Sequence, residues 1–165
     1  FPYTTLFRSE LISSEGAENL RLKFENFDGA QHPPRVQLGS HLAAATYWHG
    51  ALMNDWANGW VNYWTEGDGD FFTAAMEDTG TMQALTRLDN AGKADIDRAM
   101  VLRGVTNYTR PIDSVTAAQS LEGETVGHYS AYMPTVENIY RTGSPVVEAI
   151  LENWDQYKDK VPSVD

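Results

Sequence analysis

Three short stretches carry the residue types best suited to chemistry. The first is Met76-Glu77, which follows the run Phe71-Phe72-Thr73-Ala74-Ala75 and precedes Asp78-Thr79-Gly80. The run is apolar on both faces, as a strand inside an α/β sheet must be, and Met82, Leu85 and Leu88 then follow with helical spacing. Ligands of such sheets collect at the carboxyl ends of the strands. Ionised Glu77 only accepts hydrogen bonds, so two vicinal hydroxyls can both donate to its oxygens, a geometry that suits a ribose. Met76 beside it offers an adaptable apolar floor for the sugar. The same pair also admits a structural reading, with Glu77 as a first-turn acid favoured by the helix dipole and Met76 as core.

The second stretch is Thr106-Asn107-Tyr108, at the end of Ala99-Met100-Val101-Leu102-Arg103-Gly104-Val105, which reads as another central strand. A polar side chain there would share the sheet edge with Glu77. The Asn107 amide both donates and accepts, and it could equally cap the loop backbone. The third is Tyr47-Trp48-His49, just before a predicted helix. Tyr47 or Trp48 could stack on a planar base while His49 hydrogen-bonds a ribose or base edge, and a packed aromatic corner is the alternative. Glu66-Gly67-Asp68-Gly69-Asp70 lacks the remaining ligands and closing glutamate of a calcium loop. His32 and His41 read as loop or solvent histidines. Four histidines without shared spacing make no metal site, so no metal is expected.

These positions require a scaffold. Leu20, Leu22 and Phe24 predict an edge strand, Asn26 to Gly29 a turn, and Val36-Gln37-Leu38 a short strand after Pro33-Pro34. Trp56, Trp60 and Trp64 recur every four residues, so they line one helical face and are expected in the core. Gly92 marks the end of the helix that follows Glu77. From Arg110 to Met133 a long loop is expected, with a small helix at Val115 to Leu121 and with His128 or Tyr129 closing over the pocket. Val136, Ile139 and Tyr140 begin a last helical region. Gly143 should interrupt it, and Ser144-Pro145 should restart it ahead of Val146, Val147, Ile150, Leu151 and Trp154.

Composition narrows the function classes. The 165 residues suffice for one modest domain. A net charge of −11 and a pI near 4.6 disfavour nucleic acid and anionic membrane surfaces as partners, whereas a neutral nucleoside suits either sign. No apolar run reaches the roughly 18 residues of a spanning helix. With no cysteine, disulfides and thiolate nucleophiles are excluded and the compartment stays open.

Met-Glu-x-x-Gly after an apolar strand resembles the ribose-binding signature of the nucleoside phosphorylase superfamily. More closely, Tyr47 to Asn58, Ala75-Met76-Glu77-Asp78-Thr79-Gly80-Thr81 and Gly143-Ser144-Pro145-Val146-Val147 resemble the purine nucleoside permease family, over about residue 20 to the C-terminus. The resemblance implies an α/β fold, namely the C-terminal half of a nucleoside phosphorylase-like three-layer fold with a mixed central sheet flanked by helices. Residues 10–165 would form that part of one domain. The N-terminal half, with its phosphate-holding loops, would be missing, and Phe1 to Ser9 looks like translated adaptor sequence. It further implies purine nucleoside binding and transport, with Met76 and Glu77 on the ribose, Tyr47 or Trp48 stacked on the base, and Asn107 at the purine edge. A neutral amide at that position hydrogen-bonds the purine N7 and 6-oxo region without supplying a proton.

The alternative is a phosphorylase or hydrolase that cleaves the N-glycosidic bond. No cofactor is expected beyond phosphate as co-substrate in the phosphorylase case. A homo-oligomer stays open, and the resemblance points to a periplasmic or membrane-associated location.

Overall fold

The computed structural model describes residues 10–125 and 131–160. In chain order it has α1 (Glu15–Arg21), α2 (Asp28–Gln31), β1 (Ser40–Ala43), α3 (Ala51–Trp64), β2 (Phe71–Ala75) and α4 (Asp78–Asn90). A 3-10 turn (Ile96–Arg98), α5 (Ala117–Thr125), α6 (Tyr132–Glu152) and α7 (Trp154–Tyr157) follow. β1 and β2 pair in parallel with α3 as the crossover, an α/β arrangement as expected. His41 lies opposite Thr73, Leu42 opposite Ala74 and Ala43 opposite Ala75. Ser40 pairs with Phe71, so Phe72 is an extra residue in the ladder. The Phe72 ring occupies the space where Gly39 would carry a Cβ, which is why only a residue without one fits there.

Helix α3 rests on both strands through small residues: Ala57 and Val61, one turn apart, are buried. The tryptophan stripe lies round the helix from them and is not core. Trp56, Trp60 and Trp64 are 48%, 41% and 65% exposed. Their rings cover one another instead of packing inward. Trp48 stacks on Trp56 at 4.8 Å and 3°, Trp56 on Trp60 at 5.0 Å and 15°, and Trp60 meets Trp64 edge-on at 5.6 Å. Such pairs contribute about 0.5–1.5 kcal/mol each beyond the area they bury.

Several expected strands take other forms. Leu20 ends a helix because Ser14 caps α1, accepting from the Ala17 amide at 3.2 Å, with Glu15 and Glu18 in the first turn. Phe24 then turns inward, buried, with its ring 4.2 Å from that of Tyr108. Val36 to Leu38 is irregular, and pairing starts at Ser40, whose amide donates to the Asp70 carbonyl at 3.0 Å. The segment 99–105 has no regular secondary structure and pairs with no strand among the described residues. Helix α6 satisfies part of its backbone instead. Thr135 Oγ1 donates to the Val105 carbonyl at 2.8 Å, and Gly104 faces Thr135 and Ile139 closely enough to exclude a Cβ.

Helix α6 runs unbroken through Gly143 and Pro145. Thr135, Thr142 and Val146 share its buried face, and that burial outweighs the two helix-breaking residues. The C-terminal glycine signal of α4 holds. Gly92 has φ +65°, and the amides of Gly92 and Lys93 donate to the carbonyls of Asp89 and Leu88 at 2.8 Å. His128 and Tyr129 lie outside the described residues.

Gly50 is the backbone hinge between the aromatic loop and α3. It is buried, with φ +99° and ψ 157°, a region open essentially to glycine, and its amide donates to the Thr109 carbonyl at 2.8 Å. A Cβ there would lie 2.9 Å from that of Ala117. Gly50→Ala is expected to lower the unfolding free energy by about 1–3 kcal/mol in urea titration, and an unchanged midpoint would show that the hinge is not strained.

Candidate functional site

Parallel pairing decides which loops meet. Beyond β1 the ladder continues as the Ala44 amide donates to the Ala75 carbonyl at 3.2 Å, so loop 44–50 and turn 76–78 leave the same carboxyl edge of the sheet. Thr79 Oγ1 fastens the turn to the end of β1 by donating to the Ala43 carbonyl at 2.5 Å. Segment 106–109 reaches this edge through three contacts. The Gly50 amide donates to Thr109, Asn54 Nδ2 donates to Thr109 Oγ1, and Asn107 Nδ2 donates to Tyr47 Oη at 3.3 Å.

Two groups of side chains result. In the first, the Tyr47 ring stacks on His49 at 5.8 Å and 18°, and Asn107 binds the Tyr47 hydroxyl. Asn107 Nδ2 also donates to the Tyr108 carbonyl at 3.4 Å, while its Oδ1 accepts from Thr106 Oγ1 at 3.1 Å. Tyr47 is half exposed. His49 is only 7% exposed, and neither of its ring nitrogens has a hydrogen-bond partner. Burial pushes its pKa below the ordinary 6.5. Trp48 turns away from this group onto Trp56, and its Nε1 is buried without a partner.

The second group surrounds the start of α4. Glu77 stands at the helix N-cap position but makes no capping hydrogen bond, and its side chain is 70% exposed. Its Oε2 accepts from Arg103 Nη2 at 3.2 Å. The same guanidinium grips Asp78, with Nε donating to Oδ2 at 2.7 Å and Nη2 2.5 Å from Oδ1. His41 Nε2 lies 2.8 Å from Asp78 Oδ2, off the axis a hydrogen bond would need, and its Nδ1 lies 2.6 Å from Thr73 Oγ1. Half-exposed Met76 sits beside this group.

Electrostatics follow from these contacts. The Arg103 hydrogen bond holds the Asp78 carboxyl below its usual range, and Asp78 in turn raises the guanidinium. The Glu77 carboxyl is lowered first by its own backbone N–H, with the Met76 amide and Arg103 adding to it against desolvation. Burial lowers His41 more than the Asp78 charge raises it. At neutral pH the His41–Asp78 contact is therefore polar rather than an ion pair.

His41 corrects the expectation of a loop or solvent histidine. It is a strand residue, mostly buried, whose register opposite Thr73 aims it at Asp78. Arg103 and Asp78 were not legible as partners, since the three residues come from three separate segments; only the adjacency of Asp78 to Glu77 could have drawn attention to them. A cavity of about 410 Å³ lies between β1, segment 101–108 and α6, and His41, Thr73, Arg103 and Asn107 are on its wall. Met76, Glu77, Tyr47, Trp48 and His49 lie outside that wall, on the open edge. Among the described residues no group of three His, Asp or Glu side chains is placed to hold a metal.

Comparison with known proteins points in one direction. The family model described as purine nucleoside permease matches residues 3–162. A protein of Candida albicans named purine nucleoside permease is 31% identical over 143 residues, covering 87% of this chain and 34% of that protein. A Schizosaccharomyces pombe protein named "Probable purine nucleoside permease" is 29% identical over 147 residues, covering 89% of this chain and 41% of its own length. The chain thus spans about a third to two fifths of the relatives it matches. No solved structure matches it significantly.

The two buried histidines set the response to mild acid. Both have folded-state pKa values below 6.5, so between that value and the folded pKa the unfolded chain binds more protons. Their stabilisation is complete above pH 6.5 and is lost as pH falls through the folded pKa. The urea midpoint is expected to decline from pH 7.5 to 5, and less steeply in a His41→Gln, His49→Gln double variant. An equal slope in both proteins would assign the acid sensitivity elsewhere.

Proposed function

The chain belongs to the purine nucleoside permease family, and from that premise we propose that it binds purine nucleosides at the carboxyl edge of its parallel sheet as part of their transport. The fold would be the nucleoside phosphorylase-like three-layer architecture, of which the βαβ unit from β1 to β2 is a piece. One observation carries the reading. The parallel register and the Ala44 to Ala75 hydrogen bond deliver loop 44–50 and turn 76–78 to one edge, and Asn107 joins them there through the Tyr47 hydroxyl.

In this reading Glu77 accepts from the 2′ and 3′ hydroxyls of ribose. An ionised carboxylate offers about four acceptor positions, so the exposed side of Glu77 still has room for a hydroxyl beside Arg103 and the backbone N–H groups of Met76 and Glu77. Met76 lies under the sugar. The exposed Tyr47 ring, backed by His49, stacks on the base, while Asn107 hydrogen-bonds the purine edge. Trp48 is committed to the tryptophan stack and drops behind Tyr47 as the stacking residue. No helix among the described residues is long and apolar enough to cross a membrane.

Glu77→Ala is expected to weaken inosine binding by roughly tenfold or more in calorimetry, as charge-assisted hydrogen bonds are lost, and to change 2′,3′-dideoxyinosine binding little. Equal losses for both ligands would give Glu77 a role in the fold and not on the sugar. Incubation of the protein with inosine, guanosine and adenosine, followed by chromatography for free base, separates binding from catalysis. Saturable binding with no base released is the expected result. Release that needs phosphate would identify a phosphorylase, and release without phosphate a hydrolase.

A further inference from the structure

The exposed Glu77 carboxylate is held from behind. A free surface glutamate samples many rotamers, and ordering it on a ligand reduces the affinity its hydrogen bonds provide. Here Arg103 Nη2 donates to Oε2, and Arg103 is itself fixed by the two-point grip on Asp78. Asp78 is only 17% exposed, and His41 Nε2 lies 2.8 Å from the same Oδ2 that accepts from Arg103 Nε, with Thr73 behind it. Each link is more buried than the one it supports, so a line of polar contacts runs from the sheet to a surface carboxylate. The charges point to the ligand class. Arg103 with Asp78 and Glu77 sums to one negative charge while His41 is neutral, so the cluster suits neutral hydroxyl donors and disfavours a phosphate.

We propose that Arg103 and Asp78 are positioning residues that hold Glu77 for a cis-diol, and that they thereby set the preference of this site for ribonucleosides over nucleosides lacking the 2′ and 3′ hydroxyls. The inference rests on the ribose reading of Glu77. Arg103 also lies four residues before Asn107 on one segment between the 3-10 turn and α5. The segment that would contact the base therefore also orients the acid that would contact the sugar. Lysine cannot replace this arginine, because gripping Asp78 at two points while reaching Glu77 needs the planar fork.

The test is a set of inosine and 2′,3′-dideoxyinosine titrations of the protein and its Glu77→Ala, Arg103→Gln, Arg103→Lys and Asp78→Asn variants, with thermal unfolding recorded alongside. Arg103→Gln and Asp78→Asn are each expected to weaken inosine by about five- to twentyfold, to leave the dideoxy ligand within about twofold, and to have no further effect in the Glu77→Ala background. Arg103→Lys should fall with Arg103→Gln.

If Glu77→Ala weakens inosine selectively while Arg103→Gln and Asp78→Asn do not, the ribose reading stands and the positioning role is overturned. Equal loss of both ligands, or losses that add to that of Glu77→Ala, would make the pair a brace of the fold and also overturn it. If Glu77→Ala itself fails to discriminate the two ligands, the ribose reading falls and the positioning role with it. Should Arg103→Gln fail to fold, Asp78→Asn and Arg103→Lys decide by the same criteria.

Discussion

The parallel pairing of Ser40–Ala43 with Phe71–Ala75 is the constraint on which the rest of the arrangement depends. Parallel strands cannot be joined by a tight turn, so a crossover must lie between them, and here it is the tryptophan-bearing helix α3. Once both strands run the same way, their carboxyl ends open on one edge, and the loops that follow become neighbours without being near in sequence. The small residues Ala57 and Val61 let the helix sit down on the strands. Gly39, before β1, and Gly50, before α3, lie where a Cβ would meet a neighbouring side chain.

Around that pairing the chain leaves much apolar surface open. Segment 99–105 has no strand partner among the described residues, and Met100, Val101 and Val105 are exposed along it. It is kept in place by side chains at its far end and middle, Thr135 on Val105 and Asp78 on Arg103. The tryptophan ladder solves a similar problem. Large rings on a face that is not buried recover part of their burial by stacking on one another, and Trp48 extends that stack into the aromatic loop.

The family resemblance and the geometry bear on different parts of the problem. Membership rests on a match across nearly the whole chain, while the arrangement of Tyr47, His49, Asn107 and Glu77 comes from the strand register and three cross-segment hydrogen bonds. Glu77 illustrates the difference. Its place at the end of an apolar strand is local, but its environment is set by Arg103, twenty-six positions further on.

What the sequence determined by itself is what depends on neighbours along the chain. The run Phe71 to Ala75 is apolar on both faces and is a strand, Gly92 ends a helix because its backbone goes left-handed, and Tyr47, Glu77 and Asn107 follow apolar segments into loops. Local rules failed where a competing local signal or a distant contact was stronger. The Ser14 cap turned the approach to Leu20 into helix, and the buried face of α6 carried that helix through Gly143 and Pro145. Periodicity placed the three tryptophans on one face but could not say which face is buried, because that depends on how closely Ala57 and Val61 approach the sheet. Only the tertiary structure brought His41, Asp78 and Arg103 together, since polar contacts between a strand, a helix start and an unpaired segment leave no spacing pattern to read.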